Sequence, residues 1–170
     1  MDNRPLRFIK KGNLQRIMNT ALFPGSFDPI TIGHHDIIRR ALQLFDTIYI
    51  GIGTNSGKQC MFTLEQRMMF LEKSFADEPR IKVVQYPGLT VEFCRQIGAN
   101  CILRGLRSDA DFEYEKNIAQ INREVAGDIE TVFMVCNPAY SAVSSTIVKD
   151  LKRNGGDISR YLPPALKGLL

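Results

Sequence analysis

The chain has 170 residues, 44% hydrophobic and 24% charged, with 13 glycines and 8 prolines. That balance excludes a disordered or collagen-like chain, and the length suits one domain burying about two thirds of its unfolded surface. The net charge of +4 resides in residues 1–16, where Arg4, Arg7, Lys10, Lys11 and Arg16 meet only Asp2. Everything beyond is formally neutral, which argues against a nucleic-acid-binding face. The sequence thus divides into a basic arm, 1–16, and one domain, 17–170.

β-rich runs are predicted at about 17–23, 47–53, 81–86, 100–103 and 130–136. Helical patterns lie between and after them, at about 33–45, 63–76, 90–97, 108–126 and 144–154. The first helix places His34, Ile37, Ile38, Ala41 and Phe45 on its sheet-facing side, and His35, Asp36, Arg39 and Gln43 on a solvated outer face. Thr63 and Gln66 form a capping-box start for the second helix, and Thr90 suits the N-cap of the third. Tyr114, Ile118, Ile121 and Val125 keep helical spacing in the fourth. Gly155-Gly156 stops the fifth, and Pro163-Pro164 suits the first turn of a short last one. Five strands alternating with five helices predict a single Rossmann-like α/β domain, a five-stranded parallel sheet with helices on both faces.

No apolar run approaches the roughly 18–20 residues of a membrane span. Asn13, Gln15, Arg16 and Asn19 interrupt any signal-peptide core. Cys60, Cys94, Cys101 and Cys136 form no C-x-x-C pair, so reduced thiols in a cytoplasmic protein are expected.

In a parallel sheet, chemistry collects beyond the carboxyl ends of the strands. The first such loop, Phe23 to His34, bends through two prolines and two glycines into a helix start, where free N–H groups and the helix dipole favour an anion. It carries neither a P-loop nor a dinucleotide fingerprint. His34 is aimed into the crevice. Lys58, in the second loop, has the reach to meet an anion there. Arg104 and Arg107 flank Gly105-Leu106 directly after the fourth strand, and a guanidinium fork suits phosphate. The acids that follow, Asp109 and Asp111 among them, need no metal, because carboxylates in a first helical turn oppose the dipole. Tyr140 to Thr146 leads into a hydroxyl-rich helix start at Ser144-Ser145-Thr146. Ser26, His34, Lys58, Arg104, Arg107 and that helix start make a set of donors and cations suited to phosphoryl or nucleotidyl transfer. The inventory reaches phosphate chemistry and stops there.

Thr31-Ile32-Gly33-His34 is a T-x-G-H motif, and Val143 to Lys149 resembles I-S-S-T-x-x-[RK]. Pro24 to Pro29, Met61 to Glu65, Arg104 to Arg107 and Asp111 to Glu115 add more specific matches. On these segments, from Phe23 to about Leu162, the chain resembles the bacterial phosphopantetheine adenylyltransferases of the nucleotidyltransferase superfamily. The resemblance implies transfer of the adenylyl group of ATP to 4′-phosphopantetheine with Mg²⁺, giving 3′-dephospho-CoA and pyrophosphate without a covalent enzyme intermediate. It implies that His34 stabilises the transition state, with Lys58 and Arg107 also catalytic. Ser26, Lys58, Thr90 and Arg104 would bind phosphopantetheine. Ser26, Phe27, His34, Gly105, Leu106, Arg107, Glu115, Tyr140, Ser141, Ala142, Val143, Ser144, Ser145 and Thr146 would line the ATP site. A homohexamer is implied as well, and no protein ligand of the metal is assigned. Ser26 stands where Thr is commoner, Ile32 where a polar residue is common, and Asn137-Pro138-Ala139 departs from the usual loop. Another acceptor such as nicotinate mononucleotide, CTP as donor, or an ATP-sensing module without turnover are the rival readings.

Overall fold

The computed structural model describes residues 19–54 and 59–170. The basic arm 1–16 and Lys58 lie outside these residues. Strands β1 (Thr20–Pro24), β2 (Thr47–Gly53), β3 (Ile81–Tyr86), β4 (Cys101–Leu106) and β5 (Glu130–Val135) form one sheet in the order β3-β2-β1-β4-β5. Every pairing is parallel. The order reverses between β1 and β4, so the crevice opens where their carboxyl ends diverge.

Side chains alternate across the sheet, and each face builds its own core. Ala21, Phe23, Ile48, Ile50 and Leu103 point to one face, under α1 (Ile32–Ala41), α2 (Leu64–Ser74) and α5 (Ser145–Arg153). Leu22 and Ile102 point to the other, where Val91 and Cys94 of α3 (Thr90–Ile97) meet Ala126 and Ile129 around the end of α4 (Asp109–Val125). The predicted capping box of α2 forms, with Thr63 Oγ1 accepting from the Gln66 N–H and Gln66 Oε1 from the Thr63 N–H. α5 ends where predicted, before Gly155 in left-handed backbone (φ +77°).

Three expectations are corrected. Arg104, Gly105 and Leu106 are not loop residues: β4 continues through them, opposite Phe133, Met134 and Val135 of β5. A Cβ at Gly105 would collide with Cδ1 of Ile37 in α1, so the glycine leaves room for the end of that side chain. Thr90 is the first residue of α3, and the N-cap is Leu89, with no side-chain cap bond. His35 is half-buried rather than solvated, its ring stacked on Phe75 at a centroid distance of 5.0 Å. The helical spacing of Tyr114, Ile118, Ile121 and Val125 holds; these residues are exposed, and Glu115 is the only buried residue of α4.

Candidate active site

The carboxyl ends of β1 and β4 open into two adjoining cavities. One, of about 270 Å³, lies towards α1 and α5 and is lined by Ser26, Phe27, His34, Arg104, Gly105, Arg107, Glu115, Tyr140, Val143 and Ser144 to Thr146, among others. The other, of about 390 Å³, lies towards α3 and α4, with Tyr86, Thr90, Tyr114 and Ile118 in its wall. Ser26, Arg104 and Glu115 line both. The structure therefore brings most of the sequence-predicted residues together around one crevice, while Lys58 lies outside the described residues. Leu106, Ser141 and Ala142 are not among the lining residues of either cavity.

His34 is held by its own helix start. Thr31, 1% exposed, is the N-cap of α1, and its Oγ1 accepts from the His34 N–H at 3.4 Å. The imidazole answers: its Nδ1 accepts from the Thr31 N–H at 3.1 Å, with Thr31 Oγ1 3.0 Å away. An Nδ1 that accepts leaves the ring proton on Nε2, the remaining polar atom at the cavity. Phe27 and Phe23 grip the ring edge-on at 5.4 and 6.3 Å between centroids. Burial, helped by the charges of Arg107 and then Arg104, pushes the His34 pKa down to about 4. At neutral pH His34 is thus an uncharged donor, pre-aimed and without a proton to lose cheaply. The T-x-G-H spacing is the spacing of this reciprocal cap, since N-cap and N3 are three residues apart.

The arginines are anchored by carboxylates. Arg104 Nε donates to Glu115 at 2.8 Å, its Nη2 pairs with the other oxygen of Glu115, and Nη1 donates to the Pro24 carbonyl at 2.5 Å. Arg107 Nε and Nη2 donate to Asp111 at 2.9 and 3.0 Å. Burial alone would raise the Asp111 carboxyl, but the bonds from Arg107 hold it below its usual value. These ties fix both forks at the crevice. Sequence reasoning gave Asp111 and Glu115 no such duty, although their spacing from the arginines places them on the first two turns of the next helix.

On the α5 side, Ser144 caps the helix by accepting from the Ile147 N–H at 3.2 Å. Ser145 Oγ donates to the Pro29 carbonyl at 2.8 Å, and Thr146 is exposed. Two helix N-termini, of α1 and α5, thus converge on one cavity, each favouring negative charge. Across the crevice the Tyr86 hydroxyl bonds Thr90 Oγ1 at 3.0 Å and its ring stacks on Phe93 at 4.6 Å. A Cβ at Gly51 would stand 2.8 Å from the Tyr86 ring and from Leu22, so a glycine there makes room for this wall. Among the described residues, no group of three His, Cys, Asp or Glu side chains could hold a metal ion.

Comparison with known proteins agrees with this geometry. Residues 22–151 match the cytidylyltransferase-like family. Phosphopantetheine adenylyltransferase of Flavobacterium psychrophilum is 51% identical over 150 residues, 88% of this chain and 99% of that protein. The chain belongs to the phosphopantetheine adenylyltransferase family. The protein of the same name from Staphylococcus carnosus is 45% identical, over 88% of this chain and 93% of its own. In fold, a Vibrio parahaemolyticus crystal structure with a provisional nicotinate-nucleotide adenylyltransferase name superposes with a TM-score of 0.63 at 20% identity. That match covers 90% of this chain and 98% of the other. A bifunctional NMN adenylyltransferase/ADP ribose pyrophosphatase of Francisella tularensis gives 0.61 at 18% identity, over 86% of this chain and 45% of its own.

Proposed function

We propose that this family member transfers the adenylyl group of ATP to 4′-phosphopantetheine, releasing pyrophosphate and 3′-dephospho-CoA. The observation that carries the reading beyond the family is the position of Ser26 and Arg104 between two cavities, one walled by helix N-termini and the other by Tyr86 and Thr90. ATP occupies the first, its phosphates against the α1 and α5 starts and its remainder along Gly105 to Arg107, Glu115 and Tyr140 to Thr146. The acceptor occupies the second, with Arg104 and Lys58 on its phosphate and Thr90 on the remainder. An acceptor phosphate oxygen attacks the α-phosphorus in line, and the bond to the bridging oxygen breaks as pyrophosphate leaves. The attacking oxygen is already anionic, so no general base is required. A neutral His34 that donates from Nε2 suits that chemistry: it stabilises charge building on the α-phosphate. Arg107 neutralises charge on the same chain of phosphates, and Ser26 bonds both substrates.

Mg²⁺ would be held through the phosphates of ATP rather than by a carboxylate cluster of the described residues. The carboxylates nearest the first cavity, Asp111 and Glu115, are already bonded to arginines, which fits an ion that keeps phosphate and water ligands. When bound, the ion neutralises phosphate charge. Among the described residues no helix is long and apolar enough to cross a membrane. The four unpaired cysteines agree with a reducing cytoplasm. The exposed apolar stripe of α4 offers a face for contact between copies, as the homohexamer implied by the family would need.

Pyrophosphate release from ATP and Mg²⁺, with and without 4′-phosphopantetheine, tests the reading. Release that requires this acceptor and not nicotinate mononucleotide is expected. ATP binding without release under either condition contradicts it in favour of a sensing module.

A further inference from the structure

Asp28 is 2% exposed and lines neither cavity, yet its carboxylate takes three donors. The Met61 N–H and Lys149 Nζ reach Oδ2, each at 2.9 Å, and the Phe62 N–H reaches Oδ1 at 2.9 Å. Burial alone would push this carboxyl up. The bonds from Met61, Lys149 and Phe62 outweigh it and hold the group below its usual value. A buried ion pair is seldom a gain over well-packed apolar residues of the same size, so its use should be sought in what it positions.

Three segments meet here. Asp28 lies in the loop after β1, Met61 and Phe62 lead into α2, and Lys149 lies one turn into α5. The same loop is held at neighbouring points: Ser145 Oγ donates to the Pro29 carbonyl at 2.8 Å, and Arg67 Nη1 to the Ser26 carbonyl at 2.7 Å. Phe27, between them, has left-handed backbone (φ +45°), an unfavourable state for a bulky side chain that its surroundings must enforce. Its ring is the edge against which His34 rests. The order Ser26, Phe27, Asp28 thus sets side by side a hydroxyl between the cavities, a ring that sets the imidazole, and an anchor.

We propose that the Asp28–Lys149 pair is a positioning device that touches neither substrate: it fixes Ser26 and, through Phe27, the His34 ring relative to the α5 start. This rests on the adenylyl-transfer reading above. The loop is stitched to the helix whose N-terminus faces the first cavity, so the buried Asp28–Lys149 bond, beside the Ser145–Pro29 bond, helps to set the distance between donor and anion-binding helix. Misplacement of about 1 Å there is expected to act on the transfer step rather than on substrate affinity.

The test compares the wild type with Lys149→Met, Lys149→Arg and Asp28→Asn, measuring kcat, both KM values, folded fraction and the His34 ring resonances. For folded Lys149→Met, kcat per folded molecule falls at least about tenfold, both KM values stay within about threefold, and the His34 ring signals shift. Lys149→Arg restores kcat to within about threefold of the wild type. Unchanged kcat with unmoved His34 signals overturns the proposal, as does a raised ATP KM with kcat kept, which would make Lys149 a phosphate ligand. If Lys149→Met does not fold, Asp28→Asn carries the same expectations. Failure of both to fold also overturns the proposal, because the pair then serves the fold alone. A wild type without acceptor-dependent turnover defeats the adenylyl-transfer reading, a result distinct from all of these.

Discussion

The two faces of the sheet are built to different standards. Under α1, α2 and α5 a continuous core joins Phe23, Ile37, Ile38, Ile50, Phe70, Leu71, Leu103 and Val148. Under α3 and α4 the core is a handful of side chains around Leu22 and Ile102, and the 17 residues of α4 bury only Glu115. The well-packed face carries His34 and the two helix starts, where charge must be met by donors placed to within fractions of an ångström. The sparse face carries the wall of the second cavity and an exposed stripe that asks for a neighbour. Position is held by packing, and access is given where packing is thin.

The sharpest test of the first face is its central donor. His34→Ala is expected to lower kcat by about 10²–10³-fold with little change in either KM, the cost of removing one donor that acts on the transition state. Equal losses in kcat and in binding would count against a transition-state role. Next, the cores should differ from the stripe in stability. Leu103→Ala is expected to cost about 2–5 kcal/mol in chemical denaturation, and Val125→Ala on the same chain less than about 0.5 kcal/mol in the monomer. Comparable losses would erase the distinction between the faces.

A smaller effect concerns how His34 is aimed. Thr31→Val keeps the backbone N–H but removes the hydroxyl, and about a tenfold fall in kcat is expected, with recovery in Thr31→Ser. Titration of the His34 ring by NMR should give a midpoint near 4 rather than near the ordinary 6.5. The sign follows from burial of the neutral form: the unfolded chain takes its proton near 6.5 and the folded chain only near 4. The contribution of the neutral ring to stability is therefore complete above pH 6.5 and is lost as the pH falls from there towards 4. A midpoint near 6.5 would mean that the ring is neither buried nor held as described. The smallest effect is on the sparse face: Ile121→Lys should leave monomer stability within about 0.5 kcal/mol while reducing particle mass in sedimentation. A mass unaltered from the wild type would release α4 from any part in assembly.

The same contrast explains what the sequence made legible. Parallel strands, their approximate positions and the placing of His34 on the sheet-facing side of its helix follow from apolar periodicity and from loops rich in Gly and Pro, because these are local signals. The end of β4 is not legible because Arg104 and Arg107 look like loop residues, and the sequence does not reveal that Ile37 packs over Gly105. Thr90 has the right chemistry for an N-cap, but its hydroxyl is taken by Tyr86 and the helix begins one residue early. His35 looks solvated on a helical wheel, while Phe75, forty residues away, supplies the ring that covers it. The anchoring of Arg104 by Glu115 and the tie from Asp28 to Lys149 join residues 11 and 121 positions apart. The helical spacing of Tyr114, Ile118, Ile121 and Val125 marks an apolar stripe without saying what covers it.

The central claim is that the α-phosphorus of ATP passes directly to 4′-phosphopantetheine. Its most direct test is a single-turnover reaction with ATP labelled at the α-phosphorus, quenched in time and resolved into nucleotide, acceptor product and protein. The account predicts that label appears in 3′-dephospho-CoA at the rate pyrophosphate is released, with none on the protein. Label that stays in ATP, or that accumulates on the chain before reaching the acceptor, would contradict it.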